Sequence, residues 1–209
     1  MYVDNYTSRC KIMERVPPGS KVLEIGCGDG RLANILMIKK TCRFYCVDKD
    51  PVMVAIARKK CVEIHNIDIE ISDIPYEAGF FDVIILENVL EHLKEPQEVL
   101  KRLKKYLSEK GSLIYSVPNI LNWHSRLTIF SGKFRYEESG VFDRDHLRFY
   151  DLDSAKDLAT DAGYRIVWID VTPSLYVFKE RLNFLWYGLA VMLKNLFADE
   201  FIIEAMKNT

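Results

Sequence analysis

This chain has no excess of basic charge. Its 209 residues carry 29 lysines and arginines against 30 aspartates and glutamates, a formal net charge of −1. A broad nucleic-acid footprint needs a basic face, so no nucleic-acid partner is expected. A small anionic substrate stays compatible with this balance. Long apolar runs are also missing. The strongest, Phe184 to Leu193, falls well short of the roughly 20 residues that span a bilayer. It is expected to be a helix that covers the core or makes a contact, and peripheral membrane contact remains open to it. Met1 to Arg15 is polar and mixed, without the pattern of a secretory leader. The five cysteines, Cys10, Cys27, Cys42, Cys46 and Cys61, are odd in number and form no C-x-x-C pair. They are read as reduced thiols, and the chain as cytoplasmic. Cys42 and Cys46 with His65 could form a zinc site, but two cysteines packed in or beside a strand explain them more simply. No metal site is expected.

Length and a 49% hydrophobic content suit one domain with a substantial core. The chain is organised around Val22-Leu23-Glu24-Ile25-Gly26-Cys27-Gly28-Asp29-Gly30. It opens as a buried strand after the turn Pro17-Pro18-Gly19-Ser20, then places glycine at alternate positions. Arg31 to Met37 follows as a helix. A glycine turn between strand and helix lets a ligand approach the backbone and meet free N–H groups at the helix start. The dinucleotide fingerprint G-x-G-x-x-G is not met, because Gly30 comes one residue early and Arg31 stands in its place. That disfavours a nicotinamide-dependent oxidoreductase.

Strand and helix then alternate. Arg43 to Val47 is a second strand ending in Asp48, and Pro51 starts a helix, with Asp50 as its candidate cap. An acid about 20 residues beyond the glycines, at the end of the second strand, accepts bonds from ribose hydroxyls. Val62 to Asn66 is a third strand, leading into Asp68 and Ile69. Phe81 to Leu86 is a fourth and Ser112 to Val117 a fifth, with a Pro96 helix between them. This alternation predicts a parallel sheet with helices on both faces and a ligand beyond the strands' carboxyl ends. Gly26, Asp48, Asp68, Asn88 and Asn119 all fall on that edge. Tyr2 to Val16 predicts an N-terminal helix, Asp153 to Ala162 another, Tyr164 to Val171 a sixth strand and Phe201 to Met206 a seventh. The long segment from Ile120 to Tyr150 should hang over the ligand edge as a lid.

The residues Val22–Gly30, Cys46-Val47-Asp48, and Phe81-Asp82-Val83-Ile84 through Glu91-His92-Leu93 resemble class I S-adenosylmethionine-dependent methyltransferases. Within them the chain is similar to the ubiquinone-type and MetW-like group. Ser116-Val117-Pro118-Asn119, Gly140 to Phe149 and Phe201 to Ala205 are similar to members associated with glycan biosynthesis. The resemblance implies a Rossmann-like α/β fold: a seven-stranded, mostly parallel sheet with an antiparallel seventh strand. It implies one domain over 1–209, with a lid insertion at about 120–150 and a helical insertion at about 174–199. The implied cofactor is S-adenosyl-L-methionine. It would be bound by Glu24, Gly26, Cys27, Gly28 and Gly30 at the turn, and by Asp48 with Lys49 at the second strand. Asp68 and Ile69 would meet the adenine, with Glu87 and Asn88 after the fourth strand.

Glu87-Asn88-Val89-Leu90 is not an N/D-P-P-Y motif, and no Pro-Cys pair follows the fourth or fifth strand. Methylation of nucleic-acid bases is disfavoured on both counts. What remains is an enzyme that methylates oxygen, nitrogen or an activated carbon of a small molecule or glycan, oxygen and nitrogen first. The alternative is a non-catalytic module of the same fold that binds the cofactor or a partner. Histidine suits the role of general base, because its ordinary pKa is near 6.5. His146, among Asp143, Arg144, Asp145 and Arg148, is the first candidate and His124 the second. If the stretch is extended, His146 and Arg148 share one face. Lys133, Arg135, Arg144 and Arg148 could hold an anionic group of the acceptor, or each could pair with a neighbouring acid.

Overall fold

A computed structural model describes residues 6–174 and 183–208. One seven-stranded sheet runs through the molecule in the order β3-β2-β1-β4-β5-β7-β6. The strands are β1 (Lys21–Ile25), β2 (Arg43–Asp48), β3 (Glu63–Asn66), β4 (Phe81–Glu87), β5 (Leu107–Pro118), β6 (Tyr164–Pro173) and β7 (Ala198–Lys207). β7 is antiparallel to both β5 and β6, and the remaining pairs are parallel. The strand order reverses between β1 and β4, and such a switch point opens a crevice at the carboxyl ends of the strands.

The parallel strands are buried on both faces, so they read as continuous apolar runs. In β4 only Asp82 is exposed, and five residues from Phe81 to Leu86 are buried. Two apolar clusters result, one per face: Leu23, Tyr45, Leu86, Leu100 and Tyr115 on one side, and Val22, Leu36, Phe44, Ile85 and Ile202 on the other.

Helices α1 (Ser8–Arg15), α2 (Arg31–Lys40), α3 (Pro51–Ala57), α4 (Pro96–Leu103), α5 (Trp123–Phe130), α6 (Leu152–Asp161), α7 (Asn183–Met192) and α8 (Lys194–Phe197) flank the sheet or its ends. Their starts are chemically marked. Asp50 accepts from Val52 N at 2.8 Å and caps α3, whose first residue is Pro51. Asn122 caps α5, and Asp151 with Ser154 forms a reciprocal capping box on α6. The N-terminal helix, expected over Tyr2 to Val16, spans Ser8–Arg15 among the described residues. Thr7 caps it, so it starts at Ser8; residues 1–5 lie outside the described residues.

α1 is held by charge. Lys11 pairs with Asp170 of β6 at 2.7 Å, and Arg15 with Glu204 of β7 at 2.7 Å. Near the other end of the chain, Tyr187 of α7 donates to the same Asp170 at 2.8 Å, and Ala190 is fully buried. α7 therefore packs on the sheet, while Leu185, Met192 and Leu193 stay exposed. Of the helical insertion expected at about 174–199, residues 175–182 fall outside the described residues. Among the described residues no helix is long and apolar enough to cross a membrane.

The segment over the ligand edge is pinned at both ends. Asn119 and Tyr150 form an isolated bridge, and Ile120 N donates to Tyr150 O at 2.9 Å. Asn119 is thus a staple: it is fully buried, and its Nδ2 donates to Ala198 O at 2.8 Å. It stands on the expected edge but belongs to the packing.

Candidate functional site

A cleft of about 690 Å³ opens at the switch point, within the size range of small-molecule sites. Gly26, Asp48, Lys49, Asp68, Ile69 and Asn88 line it together. Its far wall is Val89, His92, Leu93 and Lys94, and its roof is Arg144, Asp145 and Leu147 of the lid.

The glycine turn is shaped for close approach. Gly26 has φ +69°, and a Cβ there would lie 2.6 Å from Val89 Cγ2. Gly30 has φ +71° and starts α2; its Cβ would meet Ala57 at 3.0 Å. Asp48 ties the turn to β2. Its Oδ2 accepts from Gly28 N at 2.9 Å and its Oδ1 from Asp50 N at 2.9 Å. Each carboxylate oxygen has a second lone pair, so Asp48 is oriented and can still accept from a diol.

Asp68 Oδ1 accepts from Glu70 N at 2.9 Å, closing its own turn beside the buried Ile69. An acceptor edge beside an apolar face is what a planar base with a donating amine requires. Asn88 has φ +53°, a left-handed conformation that asparagine tolerates better than most residues. Ser116 Oγ donates to its Oδ1 at 3.2 Å, and its own Nδ2 donates to Glu200 at 2.8 Å.

Four expected cofactor residues lie behind or beside the cleft. Glu24 is 3% exposed, and its Oε2 has no hydrogen-bond partner. Burial, with Cys27 and Glu87 nearby, holds its carboxyl well above the ordinary glutamate range. Cys27 is buried in the apolar cluster with Leu32 and Ala33. Gly30 packs on α3 rather than on the cleft. Glu87 accepts from Ser8 Oγ and from Arg9 Nε and Nη2, each at 3.1 Å, which locks α1 over the end of β4. Gly28, a fifth expected cofactor residue outside the cleft lining, contributes its N–H to Asp48.

A second cavity of about 300 Å³ adjoins the first. Asn88 and His92 line both. The rest of its wall comes from Glu91, Pro118, Gly140, Val141, Asp143, His146, Asp199 and Glu200. His146 lines it and His124 does not; His124 is exposed on α5, its ring against Trp123.

His146 is set in place by the backbone. Leu147 N and Arg148 N donate to Glu91 O at 2.8 and 3.1 Å, stitching the lid to the 3₁₀ turn after β4. His146 Nδ1 is 3.1 Å from Val141 O, and its Nε2 is 4.0 Å from Glu91 Oε1. Burial lowers its pKa, opposed by the Val141 carbonyl. Burial pushes the Glu91 carboxyl up to about 8, and burial also raises Asp199 and Glu200.

The expected shared face of His146 and Arg148 does not form. His146 turns inward, whereas Arg148 is exposed and donates to Lys94 O, with Glu95 at 3.9 Å. Arg144 pairs with Glu138, and Lys133 and Arg135 line neither cavity. No lysine or arginine lines the second cavity, so its wall is acidic rather than an anion clamp. Cys42, Cys46 and His65 do not come together as a metal group either. Cys42 Sγ faces the Pro17 carbonyl and His65 sits beside Glu63 and Tyr76, and all five cysteines are free. Glu91 went unnoticed in the sequence because it reads as one more polar residue at the start of a turn. The acid–histidine order Glu91-His92 after the fourth strand was the available signal.

Comparison with known proteins decides the family. The methyltransferase domain family matches residues 7–168. The chain belongs to this methyltransferase domain family. A Mycobacterium tuberculosis protein named as a probable S-adenosylmethionine-dependent methyltransferase is 25% identical over 167 residues, which cover 78% of this chain and 57% of that one. A ubiquinone biosynthesis O-methyltransferase of Xanthomonas axonopodis pv. citri is 28% identical over 108 residues, 49% of this chain and 45% of that protein. The chain therefore spans about half the length of these curated relatives.

Solved methyltransferase structures share the fold. A Thermotoga maritima S-adenosylmethionine-dependent methyltransferase, described as a possible histamine N-methyltransferase, superposes with a TM-score of 0.68 at 21% identity, covering 98% of this chain and 90% of that one. The Haloferax volcanii methyltransferase found in complex with the activator Trm112 superposes at 0.69 with 17% identity, over 99% and 91% of the two chains. The cofactor of this methyltransferase domain is S-adenosylmethionine. The glycine cradle at Gly26, the acceptors Asp48 and Asp68, and the apolar Ile69 beside them fit it.

Proposed function

We propose that the chain transfers a methyl group from S-adenosylmethionine to an oxygen or nitrogen of a small-molecule or glycan-type acceptor seated in the second cavity. One observation carries this reading: Asn88 and His92 belong to both cavities, so the two meet at a common wall. Bound S-adenosylmethionine supplies a methyl already activated by its sulfonium. The chain's own task is alignment and exclusion of water, which can contribute roughly 7–11 kcal/mol. On this reading Gly26, Asp48, Asp68, Ile69 and Asn88 hold the cofactor, while Lys49 flanks it. Glu24, Cys27, Gly28, Gly30 and Glu87 keep the turn and strand ends in shape. His146 and Glu91 act on the acceptor from the far wall, and His124 has no part. Residues 1–209 act as one domain, roofed by the 120–150 segment, with α7 of the 174–199 insertion packed on the sheet.

The acidic wall favours a polyhydroxylated or cationic acceptor over an anionic one. The O-methyltransferase names among the relatives agree with transfer to oxygen. Five free cysteines suit a reducing, cytoplasmic setting. The alternative, a non-catalytic cofactor- or partner-binding module, explains the first cleft but gives the joined second cavity no task.

The test is incubation with methyl-labelled S-adenosylmethionine and panels of sugars, phenols and amines. Label should move to a neutral or cationic acceptor and should stop with His146→Ala but not with His124→Ala. Cofactor binding without transfer to any panel member would favour the non-catalytic module.

A further inference from the structure

No metal was expected from the sequence, yet two neighbouring donors after β4 and a third from the 120–150 segment converge in the second cavity. One donor atom each from Glu91, His92 and His146 lies within 4.8 Å of the other two. We propose that these residues form a binding site for a divalent transition-metal ion.

The two rings are poised alike. His146 Nδ1 lies 3.1 Å from Val141 O, and His92 Nδ1 lies 3.1 Å from Asp145 O. A carbonyl can only accept, so each Nδ1 carries the proton, and in the neutral ring Nε2 carries the lone pair. A backbone carbonyl on one nitrogen, with the other left free, is the outer-shell arrangement of metal-binding histidines. The rings stand edge to face with centroids 4.8 Å apart, and His146 Nε2 is turned toward Glu91.

Glu91 supplies the independent observation. Its side chain is 1% exposed, and its Oε2 has no hydrogen-bond partner. A buried carboxylate oxygen without a partner is costly, and a cation held by the same carboxylate would remove that cost. Asp143, Asp199 and Glu200 line the same cavity, and no cationic side chain does. Two imidazoles and one carboxylate suit Zn²⁺, Fe²⁺, Co²⁺ or Mn²⁺ rather than Mg²⁺ or Ca²⁺. Bonds of about 2.0–2.2 Å require the three donors to close in slightly, which rotation of the half-buried His92 allows. Three protein ligands leave a coordination position open to the cavity. An acceptor oxygen would bind there, beside the wall shared with the cofactor cleft. That role rests on the methyl-transfer reading above; the binding itself does not.

The test uses Co²⁺ as the probe on the full chain, stripped of metal by dialysis, with visible absorption and bound-metal stoichiometry as readouts. Wild type should bind one Co²⁺ and show ligand-field bands. Glu91→Gln, His92→Asn and His146→Asn should each weaken binding by at least about 100-fold, since even outer-shell changes cost 10–100-fold. In Glu91→Gln and His146→Asn, S-adenosylhomocysteine affinity should stay within about twofold, which certifies their fold; His92→Asn, whose side chain also lines the first cleft, is certified by an unchanged thermal-unfolding midpoint. Cys46→Ser should bind Co²⁺ as wild type does. Absence of saturable Co²⁺ binding, binding indifferent to the three changes, or binding that moves with Cys46 overturns the proposal. Methyl transfer that proceeds at the wild-type rate in a variant that no longer binds Co²⁺ overturns the role of the metal in holding the acceptor and leaves the transferase reading intact. Co²⁺ binding lost with these variants, in a chain that methylates nothing, supports the site and sinks the transferase reading instead.

Discussion

The two cavities that share Asn88 and His92 are built in opposite ways. Most of the cofactor cleft comes from strand ends and the turns just after them, between Gly26 and Lys94. Backbone conformation and short local hydrogen bonds fix each residue there: Asp48 holds Gly28 and Asp50, and Asp68 holds Glu70. The second cavity is assembled from residues 88–92, 118, 140–146 and 199–200, which meet only through the lid and the inserted antiparallel β7. The contrast separates a generic half from a particular one. On the proposed reading the sheet edge builds the nucleoside site from local rules, whereas the acceptor site depends on how one long segment folds back over it.

The sharpest way to break the generic half is at Gly26. Gly26→Ala places a Cβ 2.6 Å from Val89 and keeps a strained φ of +69°. Affinity for S-adenosylhomocysteine, read by calorimetry, should fall by 100-fold or more, and Val89→Ala should recover part of it. Wild-type affinity in Gly26→Ala would show that the turn is not the cradle. The particular half should respond differently. His146→Ala should cut turnover of an identified acceptor by about 10² or more, yet leave cofactor affinity within about twofold. Equal losses in both would merge the two cavities into one cooperative unit.

A smaller effect is expected at Asp48. Asp48→Asn removes a charge-assisted acceptor, worth about 1.5–3 kcal/mol, so cofactor affinity should drop at least about tenfold. Asp50→Ala removes only a helix cap and should change stability more than binding. The reverse ranking, measured by the same titration, would put the ribose contact elsewhere.

The smallest effect concerns pH. The folded-state pKa of Glu24 is raised, chiefly by burial. The unfolded chain releases that proton near pH 4.3 and the folded chain only at higher pH. Between the two, the folded state binds more protons, so stability falls as pH rises. Glu91, Asp199 and Glu200 shift in the same direction. The urea midpoint should therefore decline from mildly acidic to alkaline pH, and Glu24→Gln should flatten part of the decline. A midpoint that rises over that range, or an unchanged slope in Glu24→Gln, would refute this account of the buried acid.

How much could be read in advance follows from the same contrast. Gly26, Asp48, Asp68 and Asn88 were legible because a strand end followed by glycine, acid or amide is a local pattern, and the strand order places those ends along one edge. The antiparallel seventh strand was legible only through resemblance, since Phe201 to Met206 gives no sign of its direction. Asn119 stood on the right edge yet serves packing, because its amide satisfies the Ala198 carbonyl. Glu91 and the inward turn of His146 were illegible: both depend on Leu147 and Arg148 donating to the Glu91 carbonyl, a contact between residues more than fifty positions apart. Arg144 and Arg148 looked like an anion clamp and instead found Glu138 and the Lys94 carbonyl.

The central claim is that methyl donor and acceptor meet at the Asn88–His92 wall. A crystal structure of the chain with S-adenosylhomocysteine tests it most directly. The account predicts the ribose at Asp48, the adenine beside Asp68 and Ile69, and the sulfur against Asn88 and His92, facing the second cavity. A product molecule with its adenine at Asn88, or with its sulfur turned away from His92 into solvent, would contradict it.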